Sequence, residues 1–122
     1  MKKGKMPKRM YFTQSKEAVL TNTTLDYIIL DRAEEGEELH YEKIGVANLT
    51  TANTKAHVGI RKGGKDIWLE TLTLTTAGNY YSPRRVITVT AGDQLIVGFA
   101  GITANDKCIV NVNGYRVKNA GL

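Results

Sequence analysis

From Leu25 onward, apolar and polar residues alternate along most of the chain, the period of a half-buried β-strand. The best-formed stretch is the last third. Residues 87–117, ITVTAGDQLIVGFAGITANDKCIVNVNGYRV, read as three strands joined by two short turns, one at Ala91-Gly92-Asp93 and one over residues 101–106. Asn113-Gly114 is a further tight-turn dipeptide, after which Tyr115-Arg116-Val117 either folds back or extends. Upstream, LDYIIL over residues 25–30 reads as a buried strand, and residues 31–38, DRAEEGEE, as a polar connection containing Gly36. Residues 39–49 form a long strand whose apolar phase slips: Leu39 and Tyr41 share one face, Ile44 and Val46 the other. That slip at Glu42-Lys43 predicts a β-bulge.

TTANT over residues 50–54 is a turn, and Ala56, Val58 and Ile60 alternate with His57, Gly59 and Arg61 in the next strand. Lys62-Gly63-Gly64-Lys65-Asp66 is the clearest hairpin, because paired glycines supply the positive φ a tight turn needs. In IWLETLTLT, residues 67–75, Trp68, Glu70, Leu72 and Leu74 fall on one face and Ile67, Leu69, Thr71 and Thr73 on the other. Two partly apolar faces predict a strand covered on both sides. Pro83 confines residues 80–85 to an edge, a bulge or a loop before the strand near residues 86–89. Met10-Tyr11-Phe12 is an apolar patch able to begin a strand. Residues 15–20 are expected to open as a short turn or brief helix, broken off by Thr21-Asn22-Thr23-Thr24. Turn signals about every 8–12 residues make the chain an all-β sandwich or barrel.

Length and composition fit this reading. The 122 residues make one domain, with 42% apolar residues. No run approaches the ~20 apolar residues of a membrane helix. The basic start, MKKGKMPKRMYFTQSK, has no apolar signal-peptide core, which argues against export by the general secretory route. Cys108, the single cysteine, lies at an apolar point of an alternating strand and reads as a buried structural thiol.

Charge divides the chain more sharply. Lys2, Lys3, Lys5, Lys8 and Arg9 equal the whole net excess of +5. Residues 1–9 are therefore a basic arm, expected to be disordered or extended in isolation, with the β domain over residues 10–122. Asp31, Glu34, Glu35, Glu37 and Glu38 form an acidic loop, with Asp26 and Glu42 beside it. A basic arm and an acidic loop are complementary surfaces, suited to registering neighbouring subunits.

Candidate chemistry is sparse. His40 and His57 are the only histidines and lie on different strands, short of the three or four clustered ligands a zinc site needs. Ser15 and Ser82, the only serines, sit in no nucleophile-elbow context. The carboxylates cluster in one loop instead of facing each other across a cleft. GIRKGGKD lacks the phosphate-cradling GxxxxGK[ST] pattern. No catalytic residue, metal ligand or cofactor is expected, and the chain reads as no enzyme. Tyr80-Tyr81 beside Arg84-Arg85 is a pattern that grips single strands. The rest of the chain has no net positive charge, however, and its acidic stretch repels phosphate, so nucleic acid is not the expected partner. Trp68, Tyr80, Tyr81, Arg84 and Arg85 remain possible interface residues. The three aromatics are alternatively a sugar-stacking platform, or fill core and interface positions.

At AGDQLIVGFAGITANDKCIVNVNGYRV, residues 91–117, the chain resembles small β-sandwich structural proteins of tailed-bacteriophage virions. The likeness lies in an Ala-Gly-Asp-Gln turn, a Thr-x-Asn-Asp-type turn, and a strand ending in Asn-Gly-Tyr. It extends upstream to about Leu39 through EEGEELHYEKIGVANLT and the KGGKD hairpin. It implies a jelly-roll-like single sandwich of about eight strands and, most specifically, a capsid decoration (cement) protein. Such a protein is synthesised in the host cytoplasm and sits on the virion surface. It locks major capsid protein subunits across their junctions, as a homo-oligomer, dimer or trimer, with its terminal arm on a neighbour. A neck, connector or tail-completion protein of the virion is the alternative within this class. A carbohydrate or host-surface binding module is the alternative outside it.

Overall fold

A computed structural model of the protein describes residues 8–118. They form eight strands: β1 (Arg9–Leu20), β2 (Leu25–Arg32), β3 (Glu37–Asn48), β4 (Thr54–Lys62), β5 (Lys65–Leu74), β6 (Ile87–Thr90), β7 (Gln94–Ala100) and β8 (Asp106–Lys118). Two four-stranded antiparallel sheets result, in the orders β1-β8-β3-β6 and β2-β7-β4-β5. The ladders β1·β8, β2·β7, β3·β6 and β4·β5 pair the first strand with the last and so on inward. The chain is thus one long two-ply ribbon, folded so that successive plies alternate between sheets. This is the connectivity of the jelly roll, the double-sheet arrangement that packs eight strands as two Greek keys.

The core lies between the sheets. Ile28 and Leu30 of β2, Val58 of β4, Leu74 of β5 and Leu95, Val97 and Phe99 of β7 meet Leu39, Tyr41 and Val46 of β3, Val89 of β6 and Val110 of β8. Each is almost fully buried, and burying a side chain of this kind contributes about 1.5–3 kcal/mol. The alternation that predicts the strands is the alternation that fills this layer: in β7, Leu95, Val97 and Phe99 point inward.

The expected slip in β3 is a real bulge. Tyr41 opposes Gly114 and Lys43 opposes Asn113, leaving Glu42 as the extra residue. This explains why Asn113-Gly114 makes no turn. The bulge drives the His40 carbonyl into the space a Cβ on residue 114 would take, so glycine is needed there and β8 runs straight through. A second bulge, not foreseen, lies in β5. Val58 pairs with Glu70 and Gly59 with Trp68, so Leu69 is the extra residue. It shifts Trp68 off the face it would share with Leu72 and Leu74. Leu72 and Leu74 are buried while Ile67 and Trp68 stay exposed, so the expected strand covered on both sides is a strand that changes phase.

Three further expectations change. Residues 15–20 are no turn or helix but the second half of β1, which pairs with β8 from Arg9↔Val117 to Leu20↔Asp106. The polar connection at residues 31–38 shrinks to residues 33–36, because Asp31 and Arg32 end β2 while Glu37 and Glu38 begin β3. The three strands of residues 87–117 are present, but β6 and β8 belong to one sheet and β7 to the other. Their turns cross the sandwich, and only β4–β5 joins sequence neighbours as a hairpin.

Candidate assembly surfaces

The acidic residues are placed together, and two of the five, Glu34 and Glu37, pair with cations of β8. Glu37 is buried and faces the Arg116 guanidinium at 3.5 Å, and its Oε1 accepts the Glu34 N–H at 2.9 Å. Glu34 pairs with Lys118 at 2.9 Å. The Lys118 hydrogen bond holds the Glu34 carboxyl below its ordinary range and in return raises the Lys118 ammonium. Glu38 lies 3.0 Å from His40 Nε2, and Asp31 accepts from the Gln14 amide. Glu35 is exposed. The segment closes the turn between β2 and β3 onto the end of β8, and its surface is less acidic than its composition.

Of the basic arm, Lys2, Lys3 and Lys5 lie outside the described residues. Lys8 is exposed and precedes β1. Arg9 opens β1, with its guanidinium 4.3 Å from the centre of the Tyr115 ring. Hydrogen bonding to Tyr11, then the charge of Tyr115, raises the Arg9 pKa. On the neighbouring strand, His40 stacks on Tyr115 at 4.6 Å and 8°, while Tyr11 leans on the same ring at 5.6 Å. Cross-strand partners set this row: Tyr11 opposes Tyr115, Tyr115 opposes His40, and His40 opposes Thr88. β1 also exposes large apolar side chains at Met10, Tyr11 and Val19, which are 56%, 68% and 57% accessible.

The five possible interface residues separate into two places. Trp68 lies on the outer face of β2-β7-β4-β5, its indole over Gly59 and Gly98; a Cβ on either glycine would meet the ring at 2.9 Å. Tyr27 stacks beside it at 6.0 Å, His57 tilts against it at 5.7 Å, and Arg61 reaches over Tyr27 while paired to Asp66 at 2.7 Å. Ile96 of β7, between Gly98 and Gln94 on this face, is fully buried. Tyr80 instead packs on Gly45 of the other sheet, where a Cβ would meet its ring at 3.3 Å. Tyr81 bridges to Val46, and its hydroxyl accepts the Thr76 N–H at 3.0 Å, which lowers the phenol pKa. Arg84 and Arg85 are exposed beside a groove along Glu70–Thr73, and the Arg84 N–H donates to Glu70 at 2.9 Å. Trp68 and the tyrosine pair therefore share no platform.

The sequence reading missed Tyr27 and His57 as partners of Trp68. Their signal was the pair of glycines inside β4 and β7, since a strand-interior glycine marks close approach by another group. Two buried carboxylates stitch loops together. Asp106 accepts from Asn48 at 3.0 Å, Thr51 at 2.7 Å and the Thr103 N–H at 2.9 Å. Burial opposes its charge, but these hydrogen bonds outweigh burial and hold its pKa below the ordinary value. Asp93 receives Lys62 at 2.9 Å, tying the β4–β5 hairpin to the β6–β7 turn. Cys108 is fully buried; desolvation, then Asp106 and Asp26, pushes its thiol up to about 12.

No protein-family model matches the chain, and no curated protein matches it. A solved structure described as "Bacillus endospore appendages form a novel family of disulfide-linked pili" is similar in fold. The likeness covers 98% of this chain and 96% of that chain, at a TM-score of 0.57 and 16% identity. At that identity the likeness shows a shared fold.

Proposed function

We propose that this protein is a non-enzymatic structural subunit that works by adding to a larger protein assembly through β1 and the basic segment before it. The observation that carries the reading is β1 itself. It is a twelve-residue edge strand, bonded to β8 on one side, and it displays Met10, Tyr11 and Val19 to solvent. Long edge strands with exposed apolar residues are liabilities that soluble monomers blunt. The basic segment leads directly into this strand, so a partner that engages the lysines also meets the edge. The fold shared with an appendage subunit supports the same class.

Within the class, the finer reading is a bacteriophage capsid decoration protein, bridging junctions of the major capsid protein on the virion surface. The resemblance of residues 91–117 favours it. A self-polymerising appendage subunit is the second reading, favoured by the structural neighbour. Removing residues 1–8 tests the mechanism. The truncated chain is expected to keep the circular dichroism and thermal transition of the full chain. It is also expected to lose co-sedimentation with the native particle at matched salt. Undiminished attachment contradicts the role of the segment.

A further inference from the structure

The outer face of β1-β8-β3-β6 carries a basin that shares Tyr11 with the β1 edge of the assembly reading and extends beyond it onto β8 and β3. Beside the aromatic row of Tyr11, Tyr115 and His40, the next two cross-strand rows are Thr13–Asn113–Lys43 and Ser15–Asn111–Gly45. Two adjoining cavities open on them. One, of about 290 Å³, is bounded by Tyr11, Phe12 and Glu42; the other, of about 270 Å³, by Tyr80, Lys43 and Gly45; Thr13 and Asn113 line both. Gly45 lets the Tyr80 ring descend to the sheet, where it forms the wall opposite Tyr11. The Ser15 hydroxyl donates to Asn111 Oδ1, which holds the Asn111 side chain on this face.

We infer that this basin is a binding site for a neutral saccharide, with Tyr11 and Tyr80 as its walls and Thr13, Asn111 and Asn113 as its floor. Two features select that chemistry. Amide and hydroxyl side chains offer donors and acceptors together, as sugar hydroxyls do, whereas a basic floor would select an anion. The charges at the rim, Glu42 and Lys43, cancel. The tyrosine rings supply flat apolar faces for the C–H side of a pyranose, held by few convergent polar groups. Arg9 and His40 press on Tyr115 behind the row and fix it, so the wall against which Tyr11 leans is already in place. No residue of the basin lies within residues 1–8, so the truncation that tests attachment leaves its lining in place.

The test is a ¹H–¹⁵N NMR titration of the full chain with lactose, maltose, cellobiose and N,N′-diacetylchitobiose, with a sulfated heparin disaccharide in parallel. At least one neutral sugar is expected to shift the amides of Thr13, Asn111, Asn113 and Tyr80. Asn113→Ala and Tyr80→Ala, each confirmed as folded by its spectrum, are each expected to weaken that binding by about tenfold, the loss of one or two hydrogen bonds or a stacking face. Trp68→Phe, on the opposite sheet, is expected to leave it unchanged. The assignment is overturned if no neutral sugar binds, if the shifts map to the Trp68 face, if both basin variants bind as the parent does, or if only the sulfated probe binds.

Discussion

The backbone carbonyl of His40 occupies the position where a side chain on Gly114 would begin. The relationship follows from the bulge at Glu42, which carries β3 toward its partner strand and re-aims Ile44 and Val46 into the core. It also holds His40 on the outer face, against Tyr115. A single glycine thus links core packing to the aromatic row beside β1.

Gly114→Ala is therefore expected to cost about 2–4 kcal/mol, because the obstacle is backbone and cannot rotate away. Asn113→Ala, at the adjacent exposed position, is expected to fall within about 0.5 kcal/mol of the parent. Urea unfolding of the two variants checks this. Equal midpoints would show that the bulge relaxes and that residue 114 tolerates a Cβ.

The Asp106 cluster predicts a pH dependence with a definite sign. Its folded pKa is lowered, so the stability it contributes is present above the unfolded carboxyl pKa of about 3.9 and is lost as pH falls through the folded value. Asp106→Asn cannot accept from Asn48, Thr51 and Thr103 at once, and is expected to cost about 1–3 kcal/mol at pH 7. The gap between parent and variant should narrow below about pH 4. Denaturant unfolding at pH 7 and pH 3 measures it, and a gap that stays constant would place the effect outside the carboxylate's charge.

Cys108 separates this chain from a disulfide-linked mode of assembly. A thiol pushed up to about 12 and fully buried is neither ionised nor reachable at neutral pH. Ellman's reagent at pH 8 is expected to label it only after denaturant is added. Non-reducing gels of any assembled form are expected to show the single-chain band. Rapid labelling of the native protein, or a covalent dimer through Cys108, would contradict this.

What the sequence made legible was local. The phase slip at Glu42-Lys43, the Gly63-Gly64 hairpin and the alternation in β4 and β7 each left a mark within a few residues. The β5 bulge did not, because Ile67-Trp68-Leu69 are apolar in succession and display no phase to break. Asn113-Gly114 has the composition of a turn, and only the bulged partner strand explains why it is straight. The pairing of two acidic-segment carboxylates depends on contacts 79 and 84 residues away, between Glu37 and Arg116 and between Glu34 and Lys118, which no local pattern encodes. For the same reason the turns of residues 91–93 and 101–106 are legible as turns, while their crossing between sheets is not. Of the candidate surfaces, aromatic and charged residues could be named from composition. Which sheet each occupies could not, so Trp68 and Tyr80 were grouped although the fold separates them.

The central claim, that the chain works as a subunit of something larger, is tested most directly by size-fractionating a gentle lysate of the source culture and counting copies of this chain per particle by quantitative mass spectrometry. The account predicts that most of the chain runs in multi-copy particles or fibres. Hundreds of copies on a shell would mark decoration, six or twelve a neck component, and a homopolymer an appendage. Recovery of nearly all of the chain as free monomer would contradict it.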